Sequence, residues 1–428
     1  MNIAIVGTGI SGMLAARLLC SSHRVTVFEA GDYIGGHTAT KPVTINGSVW
    51  DIDTGFIVHN EVAYPHFIEL MQRLGVATQA APMSFSVKCE RSGVEYCSAS
   101  LNAFLAQRRN LLRPAFWQMT RDILRFNREA PDVLKAGNGA ETLGEYLDRR
   151  GYSRAFLEWH ILPLGAAIWS TDARTIRSCP VSFFVRFFVN HGFLQIKGRS
   201  KWRTVQGGSH SYIAPLVKPF RDAIRLNAAV KTITRFDDRV RVVLADGEAA
   251  EFDHIILAAH SDQALALLSD PSDAERDILG AIPYQNSDVV LHTDTSLLPR
   301  SRRAWACWNY HVLNENADGR ERENPGGMTT VTYNMNLLQD LKQAPETFCV
   351  TLNRTARIDP NKILRRYTYA HPLYTPASVA AQARRAEISG VRRTHYCGAY
   401  WAYGFHEDGV NSALNVGAFF GKGSLSDV

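Results

Sequence analysis

The chain has 428 residues, 46% of them hydrophobic and 21% charged, with a formal net charge of +6 and a pI near 8.9. That length supports two domains with substantial cores, and the basic bias is mild enough that its distribution matters more than its size. Cys20, Cys89, Cys97, Cys179, Cys307, Cys349 and Cys397 include no Cys-x-x-Cys pair, which excludes metal and redox-dithiol spacings and fits buried reduced thiols.

Ile3-Ala4-Ile5-Val6 is a short β-branched run that stops at Gly7-Thr8-Gly9-Ile10-Ser11-Gly12. An Ala/Leu-rich helical run from Met13 to Cys20 follows, then a second apolar run, Val25 to Phe28, ending on Glu29. Strand, glycine turn, helix, strand and acid stand in the register of a dinucleotide site. Gly7 permits the tight turn, Gly9 leaves room for a pyrophosphate, and Gly12 lets the helix pack closely on the sheet. The helix start, Ile10 and Ser11, offers unpaired N–H groups to the phosphates. Glu29 stands where a carboxylate accepts from a ribose and repels a 2′-phosphate. The run lacks the basic segment of a signal peptide, and cleavage there would destroy the turn.

Past the acid the chain continues as Ala30-Gly31-Asp32-Tyr33-Ile34-Gly35-Gly36-His37-Thr38, with a second glycine pair that lets backbone pass close to a longer ligand. This stretch resembles the extended fingerprint of the FAD family that contains glutathione reductase, in the subgroup of flavin amine oxidases and phytoene desaturases. That subgroup usually has Gly-Gly-Arg; here His37 replaces the arginine, and its charge depends on pH. The resemblance implies FAD as cofactor and places Ala30, Gly35, Gly36, His37 and Thr38 against it.

Thr44 to Trp50 reads as a hairpin turning at Asn46-Gly47, leading into Asp53-Thr54-Gly55-Phe56. By resemblance Thr54 and Gly55 pass beside the isoalloxazine ring; read alone, Gly55 merely relieves a strand end. Helical periodicity is expected over Tyr64–Leu74, 101–128, 141–150 and 153–160. Between Leu101 and Arg128 six arginines (108, 109, 113, 121, 125, 128) interleave with Phe104, Leu105, Leu111, Leu112, Phe116, Trp117, Met119 and Phe126. A solvated basic face and a surface seated on anionic lipid both fit this pattern. Phe183-Phe184-Val185-Arg186-Phe187-Phe188-Val189, followed by Lys197, Arg199, Lys201 and Arg203, suits either a core or the wall of a tunnel for an apolar substrate.

Trp202 to Tyr212 carries Gly207-Gly208 and resembles the segment by which the superfamily re-enters its cofactor domain. Alternating runs from Ile224 to Phe252 and the apolar run Ile255–Ala259 read as a β-meander and a parallel strand. By resemblance the backbone near Val230 meets the adenine. Residues 284–385 read as the sheet of a second unit, with strands at Val289–His292, Trp305–Val312 and Met328–Tyr333 and loops at Ala317-Asp318-Gly319 and Gly326-Gly327. Near the end, Thr394 to Gly398 reads as a strand and Glu407 to Leu414 as the opening of a helix. It resembles the superfamily's last FAD motif, in which a helix N-terminus faces the flavin pyrimidine and stabilises its reduced, anionic form. Asp408 is the expected N-cap, Val410 the expected N–H donor and Gly398 the strand-ending glycine; Ala399 and Tyr400 stand where the family has an acid.

The expected fold is α/β: a Rossmann-like FAD-binding domain with a β-meander (1–60, 200–283 and 386–428) and a mixed substrate domain with a helical part and an antiparallel sheet (61–199 and 284–385). The motifs Asp53 to Glu61 and Tyr403 to Gly409 also resemble bacterial flavoproteins associated with cyclopropane-fatty-acid synthase homologues, which modify methylated or unsaturated phospholipid acyl chains. That resemblance implies an FAD-dependent desaturase of a lipid or other apolar substrate. Flavin amine oxidases commonly use a lysine after the cofactor domain, and Tyr284 to Pro299 contains none. Amine oxidation, double-bond isomerisation and a flavin scaffold without turnover remain as alternatives. Candidate catalytic groups are His406 and Glu407 before the last helix, His59 after the flavin-adjacent segment, and Tyr403, with Trp401 as a further aromatic wall. No metal, nucleic acid or membrane-spanning helix is expected; the expected setting is the cytoplasm, with an anionic membrane surface as a peripheral partner.

Overall fold

In the computed structural model, residues 1–135, 141–195, 198, 200–313 and 328–428 are described. Asn2–Val6 is the middle of a five-stranded parallel sheet ordered Ile224–Arg225, Arg24–Phe28, Asn2–Val6, His254–Leu257, Thr394–Tyr396. Stretches from the beginning, middle and end of the chain therefore share one sheet. The central strands are apolar throughout because both faces are covered. Ile3 and Ile5 face the helices Ile10–Leu19 and His406–Phe419, while Ala4 and Val6 face the meander Val230–Arg235, Val240–Leu244 and Ala249–Phe252.

A second, seven-stranded sheet runs Ile363–Pro372, Tyr284–His292, Cys349–Leu352, Val331–Asn334, Trp308–Val312, Phe85–Cys89, Glu95–Cys97. It is antiparallel except where Trp308–Val312 meets Phe85–Cys89. The helices of residues 101–190 share its large apolar core. This is the expected α/β architecture, with a Rossmann-like sheet, a meander and a mixed second layer. The loops at 317–319 and 326–327, and Lys197 and Arg199, lie outside the described residues.

The hairpin Thr40–Ile45/Ser48–Asp53 turns at Asn46 and Gly47, both at positive φ (51° and 78°), as a two-residue Asn-Gly turn requires. Two expectations change. The helix expected over 101–128 is three pieces: Leu101–Phe104, a 3₁₀ turn Arg108–Leu112, and Pro114–Glu129. Pro114 forbids the preceding residue a helical conformation, and Arg113 is extended (φ −101°, ψ 110°). Residues 64–80 pack with the nucleotide side: Tyr64, Phe67, Leu70 and Met71 share the core of the first helix, and Thr78–Ala80 pairs with Trp202–Val205. The seven cysteines are unpaired, and six are buried. Among the described residues, no helix is long and apolar enough to cross a membrane.

Candidate active site

One cavity of about 600 Å³ reaches from the first glycine turn to the aromatic helix Val181–Asn190. Its nucleotide end is built by backbone. Gly7 leaves the first strand at φ +102°, and a Cβ there would meet the Ala258 carbonyl at 2.6 Å. At Gly12 a Cβ would stand 2.1 Å from the Gly7 carbonyl, so this glycine sets helix against strand and does not line the cavity. Gly9 differs: a Cβ there meets nothing within 4 Å, and any larger side chain would project into open space. The first N–H to bond back along the helix is that of Met13, to the Gly9 carbonyl at 3.0 Å, so those of Ile10 and Ser11 are left for a ligand. The second glycine pair closes on the first: a Cβ at Gly36 (φ +56°) would lie 3.2 Å from the Gly9 Cα.

Glu29 is held at the end of its strand by the N–H groups of Thr8 and Gly31, each 2.9 Å from its carboxylate. Ala30, Ala228, Val230, Ala258 and Gln263 complete this end. Thr54 and Gly55 also line the cavity. A Cβ at Gly55 would lie 2.2 Å from the His37 carbonyl, so the two segments touch through bare backbone. Thr54 Oγ1 shares a 2.9 Å hydrogen bond with the Tyr369 hydroxyl.

His37 lines the cavity among the rings of Tyr369, His371 and His260, at 5.2, 5.6 and 6.0 Å. Burial and the neighbouring imidazoles push its pKa down to about 3, so the ring is neutral, and its buried Nε2 has no partner. A neutral imidazole still donates one N–H, which suits a phosphate or hydroxyl oxygen. Thr38 stands behind the wall, its hydroxyl bonded to the Tyr212 hydroxyl and to His406 Nε2.

The last helix begins at His406, with Phe405 as N-cap. This corrects the expected cap. Asp408 is the third helical residue, and its carboxylate accepts from the Tyr403 and Phe405 N–H groups at 3.1 and 3.0 Å. Burial pushes Asp408 up to about 7. The Gly409 N–H already bonds back to the Phe405 carbonyl, so the free N–H groups belong to residues 406–408; Val410 is buried inside the helix and does not face the cavity. Gly398 and Ala399 line the wall beside it, and Gly398 donates its N–H to Ser412 Oγ at 2.9 Å.

The candidate catalytic groups separate. His406 lines the cavity, stacked on Phe56 (3.6 Å between centroids), with Nε2 3.1 Å from both Thr38 Oγ1 and the Tyr212 hydroxyl. Tyr403 lines it as an aromatic wall, 4.7 Å from Phe183 and 5.4 Å from Phe187. Glu407 does not reach it. Its carboxylate accepts from the His66 and Phe67 N–H groups at 3.2 and 2.8 Å and from His66 Nδ1, capping the helix Pro65–Arg73. His59 follows cavity-lining Val58 on a strand and so points the other way, buried against Tyr64 and Phe67 and held at about 4 by burial. Trp401 packs beside Tyr400 under Arg385, off the cavity.

The far end is aromatic. Trp169, Phe187, Phe193, Trp202, Tyr374 and Phe405 line it, and among the described lining residues Glu29 is the one charged side chain. Phe187 faces the cavity while Phe184 and Phe188 stack on each other at 4.2 Å in the core, so the aromatic run is both wall and core. Sequence reasoning missed Trp169, Tyr369, His371 and Tyr374. Tyr369 and His371 reach the site because Ile363–Pro372 pairs with Tyr284–His292, a register with no local signature, and Tyr374 follows just past that strand. Asp53, next to cavity-lining Thr54, ties together two segments behind the wall: buried, it accepts from Thr40 Oγ1 (2.6 Å), Ser209 Oγ (2.8 Å) and the Ser209 N–H (2.9 Å). Burial raises it to about 6.

These residues fit FAD. An open cradle at Gly9 faces free helical N–H groups, a fixed carboxylate stands at the ribose position, and an unpartnered imidazole lies farther along. The sequence matches the family model for flavin-containing amine oxidoreductases over residues 10–323. No curated protein matches the chain in sequence. Among solved structures it is similar to cyclohexylamine oxidase from Brevibacterium oxydans IH-35A (16% identity, TM-score 0.68, 98% of each chain). It is equally similar to a CLA-producing fatty acid isomerase from P. acnes (16%, 0.68, 98% of this chain and 97% of that one). A variant of putrescine oxidase also matches, at 16% and 0.68 over 99% of each chain. With the family model matched over most of its length, the chain belongs to the flavin-containing amine oxidoreductases and is an FAD-dependent oxidoreductase.

Proposed function

We propose that the enzyme dehydrogenates a neutral, apolar substrate, an unsaturated or methyl-branched fatty acyl chain of a phospholipid. The observation that carries this is the aromatic end of the cavity: among the described residues, no lysine, arginine, aspartate or glutamate lines it. A carboxylate would lose its hydration there without a counter-charge and an ammonium would keep only cation–π contacts with the rings, whereas an acyl chain would lose only apolar hydration. The resemblance of Asp53–Glu61 and Tyr403–Gly409 to acyl-modifying flavoproteins, and the likeness in fold to a fatty acid isomerase, support the same class.

Gly9, the N–H groups of Ile10 and Ser11, Glu29, His37, Val230, Thr54, Gly55 and Gly398 would hold FAD, which when bound supplies the hydride acceptor. An isolated saturated C–H is a poor hydride donor, so the reacting carbon needs a double bond or branch beside it. Trp169, Phe187, Tyr374 and Tyr403 would exclude water and align the chain. A proton leaves the neighbouring carbon as the new double bond forms. The walls offer it two neutral imidazoles: His371, pushed down to about 4 by burial, and His406, lowered by the same cause.

Anaerobic mixing with unsaturated phospholipid, saturated phospholipid and a primary amine tests this reading. Lasting bleaching by the unsaturated lipid alone is the expected result. Bleaching by the amine alone would assign an amine oxidase, and a product without bleaching would assign an isomerase.

A further inference from the structure

Thirteen large apolar side chains are exposed among the described residues, and five fall between Leu101 and Leu124. Leu112 is 88% exposed, Leu101 76%, Leu124 51%, Trp117 47% and Leu111 42%. The structure draws them together. Trp117 Nε1 donates to the Leu111 carbonyl at 2.9 Å, seating the indole on the 3₁₀ turn. Arg108 bridges that turn to the short helix bearing Leu101, donating to Asn102 Oδ1 and to the Leu105 carbonyl. On the helix Pro114–Glu129, Trp117, Arg121, Leu124 and Arg128 recur at steps of three and four and form one exposed stripe, while Phe116, Met119 and Phe126 fill the core behind it.

Ahead of Glu129, which closes the helix, the charge around these side chains is almost all positive. Six arginines stand between residues 101 and 128 against one acid, Asp122. Asp122 is buried and accepts from the Ser153 N–H, so it faces inward. Arg125 and Arg128 share Glu129, while Arg108, Arg109, Arg113 and Arg121 form no ion pair among the described residues. A merely solvated helix face has no reason to expose four leucines and a tryptophan, and a free arginine face has no reason to carry them.

We infer that the surface formed by Leu101–Phe104, Arg108–Leu112 and the outer stripe of Pro114–Glu129 docks the enzyme on an anionic lipid bilayer. The leucines and Trp117 enter the interfacial layer, and the arginines meet lipid phosphates. A second copy of the chain is a poor occupant, because a two-fold contact would set this cationic face against itself. Nucleic acid would satisfy the arginines but offers leucine side chains no apolar phase. The inference stands on the surface alone and does not require the substrate to be a lipid.

Vesicle flotation of the FAD-loaded enzyme tests it, with phosphatidylglycerol-containing and pure phosphatidylcholine vesicles as separate arms. The enzyme is expected to float with the anionic vesicles and to be released in about 1 M salt, where the screening length falls to about 3 Å. Leu112→Ser/Trp117→Ser and Arg108→Gln/Arg109→Gln/Arg121→Gln are each expected to weaken binding by roughly tenfold or more. Both should keep the wild-type flavin spectrum, since none of these side chains lies in the core; losing the Trp117, Arg108 and Arg109 hydrogen bonds should lower the melting temperature by no more than about 5 °C. Equal binding to both vesicle types, no binding to either, or unchanged binding by both variants would overturn the inference. So would a concentration-dependent dimer in sedimentation that Leu112→Ser/Trp117→Ser abolishes, because it would assign the face to self-association.

Discussion

The two ends of the cavity are made of different material. At the nucleotide end, Gly7, Gly9, Gly36 and Gly55 bring bare backbone together, and Glu29 is fixed by two backbone N–H groups. At the other end, Trp169, Phe187, Tyr374 and Tyr403 make a wall of side chains from four separate segments. Close approach of backbone to a ligand tolerates few residues, so the first end is strict about composition. Shape against an apolar ligand can be met by many combinations of rings, so the second end is not. On the proposed reading the first end would hold the cofactor and the second would set the substrate.

Acid should expose the dryness of the buried imidazoles first. Burial holds His191, His371 and His59 near 4 and His37 near 3, all below the 6.5 of an exposed imidazole. The unfolded chain then binds more protons than the folded one below about pH 6.5, so stability falls as pH drops, by up to ~1.4 kcal/mol per pH unit for each imidazole. Asp53 and Asp408, raised to about 6 and about 7, act in the opposite sense between pH 4 and their folded values, but against them stand those four and also His292 and His395, held near 4 and near 3 by burial. The melting temperature is expected to fall steadily from pH 7 to 5; a rise would mean the imidazoles are hydrated.

Asp53 sharpens the comparison from behind the cavity wall. Asp53→Ala leaves the Ser209 N–H and two hydroxyls without their acceptor, and a loss of roughly 3 kcal/mol is expected in denaturant unfolding. An unchanged unfolding midpoint would show that Thr40 and Ser209 are held by something else. The effect expected at His406 is smaller. His406→Ala removes a ring that lines the cavity and bonds two buried hydroxyls, so anaerobic flavin reduction should slow by roughly tenfold, about 1.4 kcal/mol, with FAD content unchanged. Equal reduction rates would remove it from the reaction.

How far the chain could be read in advance follows the same division. Gly7 to Glu29 was legible because strand, turn, helix and acid are local and their spacing is set by geometry. The hairpin at Asn46-Gly47 was legible for the same reason. Glu407 misled because it sits in the first turn of the last helix, beside cavity-lining His406, while its carboxylate is committed to the N–H groups of His66 and Phe67. Asp408 and Val410 were placed from a helix start set too late: Phe405, which has no capping oxygen, is the N-cap. His371, and Tyr374 just past its strand, were invisible, since pairing across some 80 residues leaves no periodic trace.

The account rests on Gly9 as an open cradle for the FAD pyrophosphate. The most direct test is FAD titration of Gly9→Leu and wild-type apoprotein, followed by visible absorbance, with the melting temperature of each apoprotein as the control for folding. Because a Cβ at Gly9 meets nothing within 4 Å, the variant is expected to fold as the wild type does and to lose FAD affinity by roughly 100-fold or more, about 2.7 kcal/mol. A folded variant that binds FAD as tightly as the wild type would contradict the placement of the cofactor in this cavity.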